Sequence, residues 1–169
     1  MPKSQAAYGH KRKPKVEIDE IKFMSPGEAE RYLELCIMKL KLKGGILDFT
    51  LQPKFELQPN FRKCCGLLYV KESGGPEFKK GKCPVCGKAM PMTRAITYTA
   101  DFKIVHGDGH IEIEDVKGSG GYLAPTFEIR RKLFEYNYPE LTLTLLKRTG
   151  SQKNRDRLMV EREGLKRAV

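Results

Sequence analysis

Two runs of alternating apolar and polar residues, separated by a short glycine-containing turn, constrain the fold of this chain more than any other feature. The first run covers residues 94–105, the turn covers 106–109, and the second run covers 110–117. Side chains on a strand alternate between the two faces of a sheet, and short turns of this composition join antiparallel strands. The pattern therefore predicts a β-hairpin, around which a larger sheet must be completed.

A helix-capping pattern precedes the hairpin in the chain. Ser25 suits the cap, Pro26 suits the first helical position, and Glu28 stands three residues after the cap. We predict a helix over 26–42, preceded by a short strand or extended segment within 16–23. Apolar residues recur along this helix at steps of three and four and should form one buried stripe, namely Ala29, Leu33, Cys36 or Ile37, and Leu40.

The remaining regular segments indicate an α/β protein. Residues 46–57 alternate as a strand that bends or leaves the sheet at Pro53, and 141–146 form a further strand. Helices are expected over 126–137 and, with a basic composition, over 151–167. The buried face of the first of these two helices is predicted to contain Ile129, Leu133 and Tyr136. Helices alternating with strands predict an α/β sandwich with a mixed central sheet.

Basic residues are concentrated at the two ends of the sequence. The net charge is +11, residues 1–15 contain five Lys and Arg without an acid, and residues 147–169 contain eight against three acids. Each cation that meets a phosphate releases condensed counterions, so basic ends on a nearly neutral middle favour a nucleic acid as a partner over a merely solubilising surface. We expect a flexible basic arm over 1–15, a core over 16–147, and a basic C-terminal tail or helix over 148–169. The arm supplies three candidate DNA contacts, Lys11, Arg12 and Lys13.

Neither a membrane span nor a secretion signal is recognisable in the sequence. The apolar runs are only a few residues long, whereas about 18 are needed to cross a bilayer. The sequence therefore predicts a cytoplasmic protein without a membrane partner.

Residues 60–92 interrupt the alternating pattern and contain four of the five cysteines. Cys83 and Cys86 form a Cys-x-x-Cys knuckle, and 17 residues separate Cys83 from the adjacent pair Cys64 and Cys65. This spacing predicts a structural zinc site that stabilises a small insertion. Both adjacent cysteines could bind with a strained backbone, or one could bind while another group completes the site. Cys36 is interpreted as a core residue.

An acid and an amine share one face of the second hairpin strand. Asp115 and Lys117 are two residues apart and should project together, while Asp101 on the partner strand adds a second carboxylate. Two neighbouring carboxylates repel each other, and a hard divalent cation such as magnesium relieves that repulsion. With a lysine beside it, such a site hydrolyses phosphodiesters. The alternative is an ordinary solvated strand.

Three segments around these residues, together with the capping segment, resemble the core of PD-(D/E)xK nucleases. The likeness is greatest to phage endonuclease I type Holliday junction resolvases and to a related family of uncharacterised phage proteins, whose opening helix contains a Ser-x-x-Glu-Ala element. The resemblance spans 16–147 without 60–92. The segments concerned are Ser25-Pro26-Gly27-Glu28-Ala29, Tyr98-Thr99-Ala100-Asp101-Phe102, Glu114-Asp115-Val116-Lys117-Gly118 and Tyr138-Pro139-Glu140-Leu141.

The resemblance implies a restriction-endonuclease-like core and a role for each matching residue. It assigns Asp101 and Asp115 as the two motif acids, Lys117 as the motif lysine, and Glu28 as the acid that completes the metal site. The sequence departs from the pattern in two places, since alanine stands for the proline of the motif and Asp115 stands for glutamate. Glu114 is the fallback acid if the register differs by one residue. Glu28 has a competing structural role as the third residue of the capping box.

The implied activity is that of a magnesium- or manganese-dependent endodeoxyribonuclease, namely a phage-encoded Holliday junction resolvase that acts on branched DNA as a homodimer in the host cytoplasm. Arg130 and Arg131 on the later helix are further candidate contacts to DNA phosphates. Two alternatives remain open. One is a repair- or restriction-type nuclease with another DNA preference, and the other is a zinc-containing nucleic-acid-binding protein without catalysis.

Overall fold

The computed structural model describes residues 16–41, 45–70, 81–118 and 125–168. The predicted basic arm lies outside the described residues, together with its candidate DNA contacts Lys11, Arg12 and Lys13. The described residues form three helices, α1 (Pro26–Leu40), α2 (Pro125–Asn137) and α3 (Gln152–Ala168). They also form ten strands, β1 (Val16–Ile18), β2 (Ile21–Phe23), β3 (Ile46–Leu51), β4 (Lys54–Gln58), β5 (Phe61–Cys64), β6 (Leu67–Val70), β7 (Ile96–Thr99), β8 (Phe102–His106), β9 (Ile111–Lys117) and β10 (Thr142–Lys147).

The central sheet has four strands in the order β10-β9-β8-β3. Strands β8 and β9 form the predicted hairpin, and β3 pairs antiparallel with the outer side of β8. Strand β10 pairs parallel with β9, which the intervening helix α2 makes possible because a parallel connection needs a crossover. The α/β class and the mixed central sheet predicted from the sequence are therefore confirmed.

Helix α1 covers one face of this sheet, and α3 packs on α1. Helix α1 begins after the predicted cap Ser25, and its apolar side packs on Phe102 and Val116 of the sheet. Helix α3 packs against α1 and adds Leu158 to the same core, so the last helix completes the hydrophobic interior. None of the helices among the described residues has the length and apolarity that a membrane span needs.

Helix α2 covers the opposite face of the sheet, but not through the residues predicted from its sequence. Ile129 is 60% exposed and Tyr136 is 83% exposed, so the predicted buried face is wrong in both positions. The buried side instead contains Phe134, with Phe127 and Leu133 partly buried against the same core. Aromatic rings on β4 and β7, which lie beside that face, explain the choice, because Phe134 packs edge-on against Phe55 and Tyr98.

Strands β4 and β7 leave the central sheet and pair only with each other. The first separation occurs at Pro53, as predicted, since proline cannot donate a ladder hydrogen bond. The run over 94–105, predicted as one strand, divides into β7 and β8 on either side of Ala100 and Asp101. The β4–β7 pair forms a two-stranded stem, beyond which β5 and β6 make a second hairpin.

Residues 16–23 form a tight hairpin rather than the single short strand or extended segment that was expected. Asp19 and Glu20 both have positive φ angles, 52° and 64°, which match the two central positions of a type I′ turn. The Asp19 carboxylate accepts hydrogen bonds from Tyr32 of α1, at 2.8 Å, and from Arg162 of α3. The hairpin is thereby fixed to both helices.

Candidate functional site

Asp115 and Lys117 project from the same face of β9, as the alternation predicted. The Lys117 ammonium lies 2.7 Å from Asp115 Oδ1, and its Nζ stands 4.5 Å from the centroid of the Phe127 ring. The second carboxylate oxygen of Asp115 accepts a hydrogen bond of 2.7 Å from the Tyr98 hydroxyl. Asp115 is only 4% exposed, so its charge is balanced by neighbouring side chains rather than by water.

Glu114 occupies the opposite face of β9 and has a different role. Its two carboxylate oxygens accept hydrogen bonds from Arg31 of α1 at 2.8 and 2.6 Å, and only 2% of the residue is exposed. A bidentate guanidinium–carboxylate pair is strong and directional. This pair fixes the register of β9, so the fallback in which Glu114 replaces Asp115 beside Lys117 is wrong.

Asp101 immediately precedes β8 and lies across the hairpin from β9. Its backbone N–H donates to the carbonyl of Glu114 at 3.0 Å, and its Oδ2 accepts from the Val116 N–H at 2.6 Å. Burial, together with the nearby negative charges of Asp115 and Glu28, raises the pKa of Asp101 to about 8, against the opposing hydrogen bond from the Val116 N–H. The three carboxylates therefore affect one another electrostatically.

Glu28 combines its capping role with a position beside Asp101. Its backbone N–H donates to Ser25 Oγ at 3.1 Å, while its own carboxylate accepts a longer bond of 3.3 Å from the N–H of Met24 rather than from Ser25. Glu28 and Asp101 line the same cleft, which has a volume of about 170 Å³. The helix start therefore presents a carboxylate to that cleft.

Two polar residues of this cleft were missed by the sequence analysis. Lys22, on β2, adds a cation to the lining of the cleft, and Gln52 follows β3. Gln52 has a φ angle of 48°, a left-handed conformation that is unfavourable for a residue with a side chain, and its N–H donates to the Asp101 carbonyl at 2.9 Å. The alternation of 21–23 could have identified Lys22 as a polar residue on a strand, whereas nothing in the sequence marks Gln52.

The carboxylates of Glu28, Asp101 and Asp115 lie near one another, but their oxygen atoms are not close enough together to form a set of three ligands for one ion. Among the described His, Cys, Asp and Glu residues, a group of three or more with mutually close ligand atoms occurs only at four cysteines. A magnesium ion needs only one or two carboxylates together with waters and phosphate oxygens. Asp101 and Asp115 match that donor chemistry, with Lys117 as the present counter-charge of Asp115.

The four cysteines of the insertion form a compact cluster that could hold a metal ion such as zinc. Their sulfur atoms all lie within 4.8 Å of one another, with 3.5 Å between Cys64 and Cys86 and 3.9 Å between Cys65 and Cys83. Cys65 has a φ angle of 52°, which breaks the strand alternation and lets both adjacent cysteines face the same point. The strained-backbone alternative is therefore the one adopted.

The knuckle around Cys83 favours a thiolate. Backbone hydrogen bonds from Cys86 and Val85 lower the pKa of Cys83 to about 6 against the opposing effect of burial. A thiolate is the form of cysteine that binds metals. Cys36 lies outside this cluster and packs against the helical core, as predicted.

The candidate DNA contacts on α2 differ in their surroundings. Arg130 is exposed, whereas Arg131 forms ion pairs with Glu128 at 3.1 Å and Glu135 at 3.4 Å on its own helix. Arg131 is thus already engaged with two carboxylates, and Arg130 is the more accessible cation.

Comparison with known proteins identifies a matching family. The model of a family described as a protein of unknown function, DUF1064, matches residues 8–154, a range that includes the cleft residues, the β9 residues and the four cysteines. No curated protein and no solved structure matches the chain.

Proposed function

The chain belongs to the DUF1064 family, whose function is unknown, and from the geometry of its cleft we propose that it is a metal-dependent DNA endonuclease. One observation supports this most directly. Glu28 and Asp101 line one cleft, and the Asp115–Lys117 pair lies directly across the hairpin from Asp101. Glu28 on α1, Asp101 before β8, and Asp115 with Lys117 on β9 match the residues expected from the PD-(D/E)xK resemblance.

The proposed reaction is hydrolysis of a phosphodiester. The oxygen of a water molecule forms a bond to phosphorus, one phosphorus–oxygen ester bond breaks, and the water proton passes to the leaving oxygen or to solvent. A magnesium or manganese ion at the carboxylates would supply the activated water and polarise the phosphate. Asp101, Asp115 and Glu28 would provide its oxygen ligands. Their negative charges repel one another, and a bound cation would relieve that repulsion.

Lys117 and Lys22 would act on the phosphate. Lys117 stays beside Asp115 through its 2.7 Å contact and can stabilise the negative charge that develops on the phosphate oxygens. Lys22 lines the cleft from β2 and can orient the same group, because an ammonium binds phosphate as a point charge.

We assign zinc to the cysteine cluster with a structural role. Four thiolates leave no open position for a substrate at a tetrahedral ion, so the cluster stabilises its hairpin rather than contributing to hydrolysis. The substrate expected from the resemblance is branched DNA, above all a four-way junction, and paired cuts in such a junction imply a homodimer.

Cleavage of a labelled four-way junction, a linear duplex and a single strand tests this proposal. Wild type and Asp101→Asn are compared with and without magnesium or manganese, and Asp108→Asn serves as the matched control because Asp108 lies exposed in the hairpin turn. We expect metal-dependent paired nicks near the branch from wild type and the control, and at least about a hundredfold loss for Asp101→Asn.

A nucleic-acid-binding protein without catalysis is the second candidate, favoured by the fact that the carboxylates do not yet form a three-ligand set. Tight DNA binding by wild type without cutting under either metal would select it. Equal cutting of all three substrates would keep the nuclease and reject the preference for junctions.

A further inference from the structure

The insertion around the cysteines is positively charged over its described length. We call residues 60–70 and 81–95 the cysteine lobe. This lobe contains five Lys and Arg and no Asp or Glu. Four thiolates around one divalent ion would remove two of these charges, so the lobe remains positive with its metal bound.

Four of these cations are exposed, namely Lys63, Lys82, Lys88 and Arg94. None of them forms an ion pair within the described residues, whereas on α3 Lys166 pairs with Glu163 at 3.1 Å and the buried Arg162 pairs with Asp19. Among the described residues these four cations are thus exposed and without a carboxylate partner, while part of the basic charge of α3 is used inside the fold.

Apolar side chains are exposed among these cations. Lys63 is paired across the hairpin with Leu68, which is 60% exposed, and Val85 and Met92 are 66% and 53% exposed. Cross-strand partners project on the same face, so Lys63 and Leu68 lie side by side. A surface that mixes ammonium groups with apolar groups suits DNA, whose phosphates alternate with the apolar faces of its sugars.

The stem joins this lobe directly to the cleft. Strand β4 begins two residues after Gln52, and β7 ends two residues before Asp101. Its four residues in β7 span about 13 Å at roughly 3.3 Å per residue. One turn of duplex DNA covers about 34 Å, so a duplex bound at the cleft can reach the lobe within half a turn.

We propose that the cysteine lobe is a second DNA-binding surface, which contacts the phosphate backbone about half a helical turn from the cleft. The inference rests on the proposed nuclease function for its choice of DNA. It also assigns the main contacts to Lys63, Lys82, Lys88 and Arg94 rather than to the basic helix α3.

Binding of a fluorescently labelled duplex of about 30 base pairs tests the inference, with calcium in place of magnesium. The lobe variant changes Lys63, Lys82, Lys88 and Arg94 to Gln. The control variant makes the same change in net charge on α3, at the exposed residues Lys153, Arg157, Lys166 and Arg167. Zinc content is measured for every protein, so that a damaged cysteine cluster is recognised.

We expect the lobe variant to bind at least about tenfold more weakly than wild type at about 0.1 M salt. The slope of log affinity against log salt should decrease by roughly 3 to 4, since each phosphate contact contributes about 0.9. The α3 control should keep most of the wild-type affinity and most of the wild-type salt dependence. If the lobe variant contains as much zinc as wild type, its loss of DNA affinity is due to the four substituted side chains and not to a damaged cysteine cluster.

Two results would overturn the inference: an unchanged affinity in the lobe variant, or an equal loss in the α3 control. Cleavage assayed in parallel separates this question from the proposed function. If wild type cuts DNA and the lobe variant binds DNA normally, only the DNA-binding role of the lobe is rejected. If the lobe variant binds DNA weakly but wild type never cuts DNA, only the proposed nuclease activity is rejected.

Discussion

Asp101 is the residue at which burial and like charge act together. Its pKa is raised to about 8, whereas the carboxyl of an unfolded aspartate titrates near 3.8. The folded protein therefore binds a proton that the unfolded chain has released over the interval between these values. The contribution of Asp101 to stability is complete below about pH 4 and is lost as the pH rises through about 8.

We expect Asp101→Asn to raise the melting temperature at pH 8 and to leave it nearly unchanged at pH 4. The amide cannot ionise, so it removes the repulsion from Asp115 and Glu28. Thermal unfolding over this pH interval, without added magnesium, measures the effect. Asp108→Asn is the control, because a hydrogen bond from the His110 N–H lowers the pKa of Asp108 instead. The same dependence on pH in wild type and Asp101→Asn would contradict the assignment.

A second residue-scale prediction concerns the Arg31–Glu114 pair. Arg31→Met leaves the Glu114 carboxylate buried without its cation and should lower the free energy of unfolding by about 3 to 5 kcal/mol. Adding Glu114→Leu to that variant should restore part of the loss, because no unpaired charge then remains. Urea denaturation of the two single variants and the double variant measures the coupling. A loss below about 1 kcal/mol in Arg31→Met would show that water reaches Glu114.

The sequence allowed only part of this site to be predicted. Alternation along β9 was sufficient for the shared face of Asp115 and Lys117, and the knuckle spacing was sufficient for the cysteines. The position of Glu28 came from the family resemblance. Arg31 could not be found, because its partner Glu114 is 83 residues away and the contact exists only after α1 packs on the sheet.

At the scale of elements, helix α2 shows why the order of elements is easier to predict than the way they pack. Its bounds lie within one residue of those expected, yet Ile129 and Tyr136 are exposed. The sequence of α2 has two apolar stripes, and periodicity does not distinguish them. The stripe that contains Phe134 is the buried one because it packs against the aromatic rings of Phe55 and Tyr98. These two rings belong to the stem strands β4 and β7, so the sequence of α2 alone does not reveal them.

The junction between β10 and α3 depends on one glycine. Gly150 has a φ angle of 68°, and a Cβ atom there would lie 2.4 Å from the backbone of Pro26 at the start of α1. We expect Gly150→Ala to lower the free energy of unfolding by about 2 kcal/mol or more. Gly164→Ala, in α3 with open space around it, should instead raise that energy by about 0.5 to 1 kcal/mol. Chemical denaturation compares them, and equal effects would exclude the close approach.

At the scale of the whole molecule, the stem separates the cysteine lobe from the helical core. The core cluster is built from α1, α3 and the sheet, while the cysteines lie beyond β4 and β7. Loss of the metal should therefore affect the lobe first. Amide exchange should accelerate in β5 and β6 after chelation, while β8 and β9 stay protected.

Metal content provides the matched comparison. Cys65→Ser should bind zinc much more weakly than wild type, whereas Cys36→Ser should keep one zinc per chain because Cys36 belongs to the core. Elemental analysis after dialysis measures both. Loss of zinc from the Cys36 variant would contradict the separation of the two sites.

The contact between Asp19 and Arg162 also determines the order in which the protein can mature during synthesis. These residues are 143 positions apart, and the hairpin that contains Asp19 also contains Lys22 of the cleft wall. At about 5 to 20 residues per second, the ribosome adds Arg162 on the order of ten seconds after Asp19. A growing chain therefore lacks one anchor of its cleft wall, and the proposed nuclease is assembled late, after nearly all of the described chain has been translated.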